Sequence, residues 1–491
     1  MDKNTDQGKE RNTARNAETD RDLQPEQAAA AADTALRPLL HLLYCALHET
    51  VPSREILDSC EEEEILRLAR KNGVAALGGT AMMRLEKSGG QEYAAEAAGG
   101  GSTSGGASAR GISTKWLQAV QKALRRSAMF GAERERLLAM FEERGIWYLP
   151  LKGVLLQDLY PLPGAREMSD NDILFDGSRR EEVRALMRAE GYTLKVENAG
   201  GVDAWYKEPL YNFELHVQPL DRACLGDHPD YYDDLGDRVV PADETSGKKW
   251  ERRFRQEDFY IHFILHSFKH FSASGTGLRM LTDEYLFMTR GIDRSFRWAY
   301  VEEELAKLGA AAYERDFRAL ALKLFSEESL GEAAEAAGRD PAEASGGGPA
   351  GNAGSAHVDP EGFDEQEQAL LEEFSAQGIY GNQKNRILHR YQKMSEGQPG
   401  GRFLRFRYYL GRIFPPLDYM KRAFPILEKH VWLLPAMWVW RCIRTVLFYR
   451  KRIAGEMRMA KELEQDIKEQ TGQEEQEMRE ARGQGRKGDQ A

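Results

Sequence analysis

Cysteine is scarce in this chain of 491 residues, which has four: Cys45, Cys60, Cys224 and Cys442. No two of them form a CxxC pair, so a zinc ribbon is excluded. Four widely spaced thiols in so long a chain make no disulfide framework either. A reducing cytoplasm is the expected location. Long apolar runs are absent too. The longest, Val431 to Trp440, is closed by Arg441 and Arg444 and falls well short of the ~20 residues that span a bilayer. The N-terminal stretch MDKNTDQGKERNTARNAETDRD is polar throughout, without the apolar centre of a secretory signal. Nor is positive charge in excess. The formal net charge is −11, whereas a nucleic-acid surface favours a basic stripe, so there is no strong nucleic-acid signal.

What is present supports a packed protein. Hydrophobic residues make up 41% of the chain and aromatic residues 10%, enough for a core, and the length suits two or three domains. Residues 1–30 read as a disordered tail. Residues 31–145 read as helical: Leu36, Leu39, Leu40, Leu43 and Leu47 recur at helical spacing. A second helix is expected from Glu61 to Asn72, with Gly73 as its stop. The Gly/Ser/Ala-rich stretch 97–111 reads as a flexible insert, and a long helix is expected over 113–144. At Gly145 the period changes. Ile146 to Gly153 reads as a strand ending in a glycine turn, VLLQDLY as a short helix, Asp170 to Phe175 as a second strand, and Tyr211 to Pro219 as a third. Ser178 with Glu181 suggests a capping box for a helix that presents Val183, Leu186 and Met187 and ends at Gly191. The expected fold class is α+β: a small mixed sheet with helices over 146–250, embedded between helical regions. Further helices are expected over 251–330, a low-complexity linker over 331–362, an aromatic-rich helical region over 363–455, and a charged tail over 456–491.

The chemistry concentrates in the strands. Residues two apart on a strand share a face, so Asp170 and Asp172 project together. Side-by-side carboxylates repel and are costly to bury without a partner, which points to a cation. Magnesium suits such a site, because it takes carboxylate oxygens and substrate phosphates as ligands. Glu214, between Phe213 and Leu215, adds a third carboxylate, with His216 on its face. Two ions about 4 Å apart would clamp an in-line phosphoryl displacement, with Mn2+ as an alternative to Mg2+. Upstream, Lys152 and Gly153 occupy the strand-to-helix turn, where backbone N–H groups and a lysine charge favour phosphate. Arg166 and Ser169, just ahead of the DxD, are further candidates for gripping the nucleotide.

LPLKGVLLQDLY, followed by AREMSDNDILF and then FELHV, resembles the nucleotidyltransferases of the DNA polymerase β superfamily, and more narrowly an uncharacterised bacterial nucleotidyltransferase-like family. The resemblance is close over about 146–217 and weaker through the flanking helices to about 450. The turn departs from the superfamily's Gly-Gly or Gly-Ser, having Lys152-Gly153-Val154 instead. The resemblance implies that Asp170 and Asp172 bind metal and that Glu214 completes the site. It further implies transfer of a nucleoside monophosphate from a nucleoside triphosphate such as ATP to an acceptor, whether small molecule, sugar, peptide or protein. The alternative is a scaffold or regulatory protein that keeps the fold without the chemistry.

Two further features stand apart from the strands. Asp258, His262, His266 and His270 fall four residues apart, on one helical face. Lys269 lies beside them, and the next helix carries Arg279 and Asp283. One reading has this helix roof the cleft and offer His266, Lys269, His270, Arg279 or Asp283 to the ligand. The other is an interhelical polar network with an Arg279–Asp283 ion pair. A zinc site lacks the glutamate of HExxH. The aromatic and basic residues from Tyr419 to Arg452 suggest either a packed helical subdomain or a peripheral membrane contact.

Overall fold

A computed structural model of the chain describes residues 25–98, 114–242, 247–326 and 363–378, with parts of 414–440. The expected tails at 1–30 and 456–491 and the linker at 331–362 lie wholly or almost wholly outside these residues, as does the 97–111 insert beyond the end of one helix.

Four main helices precede the sheet: α1 (Pro25–Leu47), α2 (Glu62–Lys71), α3 (Ala75–Ala98) and α4 (Thr114–Arg144). A single helical turn, Arg54–Leu57, lies between the first two. The leucine spacing of α1 buries Leu39, Leu40 and Leu43 completely, in one cluster with Ile65 and Leu66 of α2 and Trp116 of α4. Gly73 follows α2 at φ 65°, the left-handed turn that glycine adopts without a side-chain clash.

The sheet has five strands: β1 (Tyr148–Pro150), β2 (Asn171–Phe175), β3 (Thr193–Ala199), β4 (Val202–Lys207) and β5 (Tyr211–His216). Their spatial order is β1-β2-β5-β4-β3. The β2–β5 pair is parallel and the other neighbours are antiparallel, which makes this a mixed sheet within a largely helical, α+β protein. Between β1 and β2 the chain makes a single turn of helix, α5 (Gly153–Leu156), and a 3-10 turn (Gln157–Leu159). Helix α6 (Arg180–Ala189) links β2 to β3.

Side-chain alternation gives the sheet two unlike faces. Ile173 and Phe175 of β2, Trp205 of β4 and Phe213 and Leu215 of β5 pack on Leu137, Leu138 and Phe141 of α4 and on Val183, Leu186 and Met187 of α6. Asp172 and Leu174, and Glu214 and His216, therefore occupy the opposite face.

After the sheet, β6 (Val239–Pro241) and β7 (Arg252–Phe254) form a separate two-stranded pair. The chain then continues as α7 (Gln256–Ser274), α8 (Arg279–Leu286), α9 (Trp298–Lys307), α10 (Ala311–Phe325) and α11 (Glu365–Gln377). Their apolar residues join those of α1 and α2 in one core.

The structure departs from the sequence expectations in several places. β1 and β5 are shorter than expected, and β2 begins at Asn171, one residue after Asp170. The hairpin β3–β4 falls in a stretch with no clear strand pattern, because β3 is exposed along most of its length and has no inward apolar alternation to display. No Ser178–Glu181 capping box forms. Asp176 accepts the Ser178 N–H at 3.0 Å, residues 177–179 make a 3-10 turn, and α6 starts only at Arg180.

Candidate active site

The parallel pairing of β2 with β5 sets Asp172 opposite Glu214 and Leu174 opposite His216. Asp172, Glu214 and His216 consequently come together, each offering a ligand atom within 4.8 Å of the others. Among the described residues these three form a group with metal-ligand geometry. His216, expected only to line the cleft, belongs to the cluster. Asp170 stands just ahead of β2, half-buried, and feels the charge of Asp172.

The three carboxylates have different surroundings. Asp172 Oδ1 accepts from Lys152 Nζ at 2.9 Å and pairs with His216 Nε2 at 2.9 Å. Burial opposes its ionisation, yet these two partners hold its carboxyl well below the usual carboxylate range. Among the described residues, Asp170 accepts one hydrogen bond, from Ser169 Oγ at 3.2 Å. Burial, and then the charge of Asp172, push its carboxyl up. Burial followed by Asp172 and Asp170 raises Glu214 to about 7. Burial also lowers the His216 imidazole, against the pull of Asp172. Two of the three acids are thus held where their charge is poorly satisfied by protein groups. Two carboxylates plus one imidazole suit a divalent ion such as Mg2+ or Mn2+, and the uncompensated acid pair is the feature that a cation would relieve.

Lys152 adopts φ 50° and ψ −118°, a positive-φ conformation that is costly for a residue with a side chain, on the order of 1–3 kcal/mol. From this turn its ammonium reaches Asp172. The role expected for Gly153 changes. Helix α5 is a single turn, too short to supply a strong N-terminal dipole. A Cβ at Gly153 would lie 2.2 Å from Arg166 Nη1 and 3.0 Å from Met168 Sδ, so the glycine makes room for the arginine.

Arg166, expected to grip phosphate, is 6% exposed and donates through Nε and Nη2 to the two oxygens of Asp283, both at 2.7 Å. Tyr160 also donates to Asp283 at 2.7 Å. The Arg279–Asp283 pair therefore does not form. Arg279 Nη1 instead donates to the Glu167 carbonyl at 2.6 Å.

These bonds clamp the loop that carries Asp170, and further residues without any local sequence signal join them. Arg126 of α4 donates to the Met168 and Ser169 carbonyls at 2.7 and 3.1 Å. The Glu167 carboxylate accepts from Ala76 N at 3.0 Å. At Gly164, φ 80°, a Cβ would meet the Leu124 backbone at 2.8 Å, so the loop lies directly on α4.

The histidine stripe runs from core to surface along α7. Asp258 is paired with Arg238 at 3.1 Å and Tyr300 at 2.9 Å. His262 is fully buried, with its ring stacked on Phe254 at 5.5 Å. His266 and His270 face each other, Nε2 to Nε2, at 3.0 Å. Burial holds the His262 and His266 imidazoles well below the usual imidazole range. Among the described residues the stripe forms no metal-ligand group, and it reads mainly as a polar seam of the helical core. Lys269, beside it, carries no hydrogen bond or ion pair among the described residues, and its charge acts on Glu214 and His216. The charge of Arg279 acts on Asp170.

A mixed sheet with acids on adjacent parallel strands, a lysine in the turn after β1 that reaches one of them, and helices over the same face defines a nucleotidyltransferase-like protein. The comparison with protein families agrees: the chain belongs to a family described as uncharacterised nucleotidyltransferases, whose model matches residues 58–326, more than half of its length. No curated protein and no solved structure matches it.

Proposed function

We propose that this site catalyses metal-dependent nucleotidyl transfer, moving a nucleoside monophosphate from a nucleoside triphosphate to an acceptor oxygen. The observation that carries the proposal is the register of β2 on β5, which sets Asp172 and Glu214 side by side, with Asp170 near enough to feel the charge of Asp172. Asp170, Asp172 and Glu214 would hold Mg2+, at one or two positions, with His216 as a nitrogen donor and Mn2+ as a substitute. When bound, the metal neutralises phosphate charge and eases ionisation of the acceptor. The acceptor oxygen forms a bond to the α-phosphorus, the bond from that phosphorus to the α–β bridging oxygen breaks, and pyrophosphate leaves. Glu214, raised to about 7, would take the acceptor's proton. Lys152 and Lys269 give the triphosphate its cations, and Ser169 offers a hydroxyl.

The test is incubation of the purified protein with α-labelled ATP, GTP, CTP or UTP and Mg2+ in cell extract. Label should pass to a discrete acceptor, and Asp172→Asn should abolish that transfer. Labelling that persists in Asp172→Asn, or that needs no divalent ion, contradicts the mechanism.

One observation favours a second reading. Lys152 and His216 already satisfy Asp172 Oδ1 within the protein, as in a nucleotide-binding scaffold without turnover. Magnesium-dependent nucleotide binding with no label transferred to any acceptor would select it.

A further inference from the structure

Residues 402–452 hold twelve Lys and Arg against two acids, Asp418 and Glu428, in a chain whose net charge is −11. That stretch is therefore +10, and the remainder of the chain is −21. Within it, Val431–Leu433 form a 3-10 turn that runs into helix over 434–440. The exposed positions along this turn and helix are Val431, Trp432, Pro435, Ala436, Val439 and Trp440, while Leu433, Leu434, Met437 and Trp438 are half-buried. Their four-residue spacing makes them a single face, and not one of them is polar or charged. Exposure reaches 76% at Trp432, 60% at Val439 and 55% at Trp440.

A face like this is unusual next to water. It is not explained by a membrane crossing, since no helix among the described residues is long and apolar enough. We infer that it docks the protein on an anionic lipid surface. Trp432 and Trp440 enter the interfacial layer, where tryptophan concentrates, and the Lys and Arg that flank the face in sequence meet the headgroups. Charge complementarity selects the occupant. An anionic leaflet attracts this +10 stretch and repels the acidic remainder, so contact is confined to one end of the chain. Nucleic acid would match the charge, but it gives no role to exposed Val431 and Val439, because stacking on bases needs aromatic planes. The inference does not depend on the nucleotidyl-transfer reading.

Vesicle flotation of the full-length protein tests it, with phosphatidylcholine alone or mixed with phosphatidylglycerol. The protein should float only with the anionic vesicles, and less so as salt rises. Trp432→Ser combined with Trp440→Ser should cut the floating fraction about ten-fold or more without moving the thermal melt. Lys421→Gln combined with Arg422→Gln should lower partition by about twenty-five-fold, at roughly five-fold per cation. Flotation equal on neutral vesicles, no flotation at all, or flotation undiminished in the tryptophan variant overturns the inference. So does concentration-dependent self-association, or retention on an oligonucleotide, that the tryptophan variant loses while no vesicle binding is seen.

Discussion

Asp203 on β4 and Asp172 on β2 are both buried, at 2% and 7% exposure, and both lie in the same sheet. Asp203 accepts four bonds of 2.6–3.0 Å from the forks of Arg180 and Arg184, and a fifth, 2.8 Å, from Asn198 N. Despite burial, these donors hold its carboxyl well below the usual range. The other acids that reach Arg184, Glu181 and Glu197, are exposed and leave its Nε and Nη2 to Asp203. Asp172 is also well partnered, but Asp170 and Glu214 beside it are pushed up by burial and by neighbouring carboxylates. The difference separates a structural carboxylate, whose charge the protein satisfies, from a group whose charge awaits something from outside. Asp203 fastens α6 to the sheet, and the loop that carries Asp170 is held by bonds to α3, α4 and α8.

Substitutions can probe this contrast from either side. The largest effect should come from Asp172→Asn, which lowers label transfer on the order of a thousand-fold or more, about 4 kcal/mol of lost transition-state stabilisation. Asp203→Asn should leave transfer chemistry intact in whatever fraction folds. It strands two arginines and should cost about 3–5 kcal/mol in urea unfolding; a loss under about 1 kcal/mol would show that the arginine forks are dispensable.

Glu284, fully buried in the helical core, applies the same rule far from the sheet. Burial and then Glu314 raise it to about 8. For an acid raised this way, the stability it contributes is fully present below its ordinary value of 4.5 and is lost as pH rises through about 8. Wild-type protein should therefore lose about 4 kcal/mol between about pH 5 and 9, at about 1.36 kcal/mol for each pH unit between 5 and the raised value of about 8. Glu284→Gln should flatten that slope. Melting curves at the two pH values check it, and an equal slope in wild type and variant would remove Glu284 as the cause.

A smaller effect separates the site's own acids. In metal-free buffer Glu214→Gln should raise the melting temperature by a few degrees, because repulsion is relieved. Asp172→Asn should lower it, because Lys152 and His216 lose their partner. If both variants shift the same way, the distinction between the two acids fails. Smallest of all, His266→Ala should cost about 1 kcal/mol and leave the metal content unchanged. Stoichiometric zinc that this variant loses would make the stripe a metal site.

The site could be read from sequence where the signal was local. The alternation in NDILF and FELHV placed the acids on one face, and the pairing of β2 with β5 brought those faces together. Residues whose meaning depends on distant partners could not be read this way. Arg166 looks like a phosphate ligand until Asp283, 117 positions away, takes its Nε and Nη2 donors. Gly153 looks like a phosphate turn for the same reason. The β3–β4 hairpin was hidden because an exposed strand needs no apolar alternation. His216 was visible as a neighbour of Glu214, but only the register with Leu174 showed that it reaches Asp172.

Everything proposed for the site rests on a nucleotide held through a metal at Asp172. Titration calorimetry with a nucleoside triphosphate, in Mg2+ and in EDTA, measures that dependence, with wild-type protein beside Asp172→Asn. Binding is expected in Mg2+ and not in EDTA, and it should be about a hundred-fold or more weaker in the variant, close to 3 kcal/mol. Equal affinity with and without the metal, or an Asp172→Asn protein that binds like the wild type, would contradict the assignment.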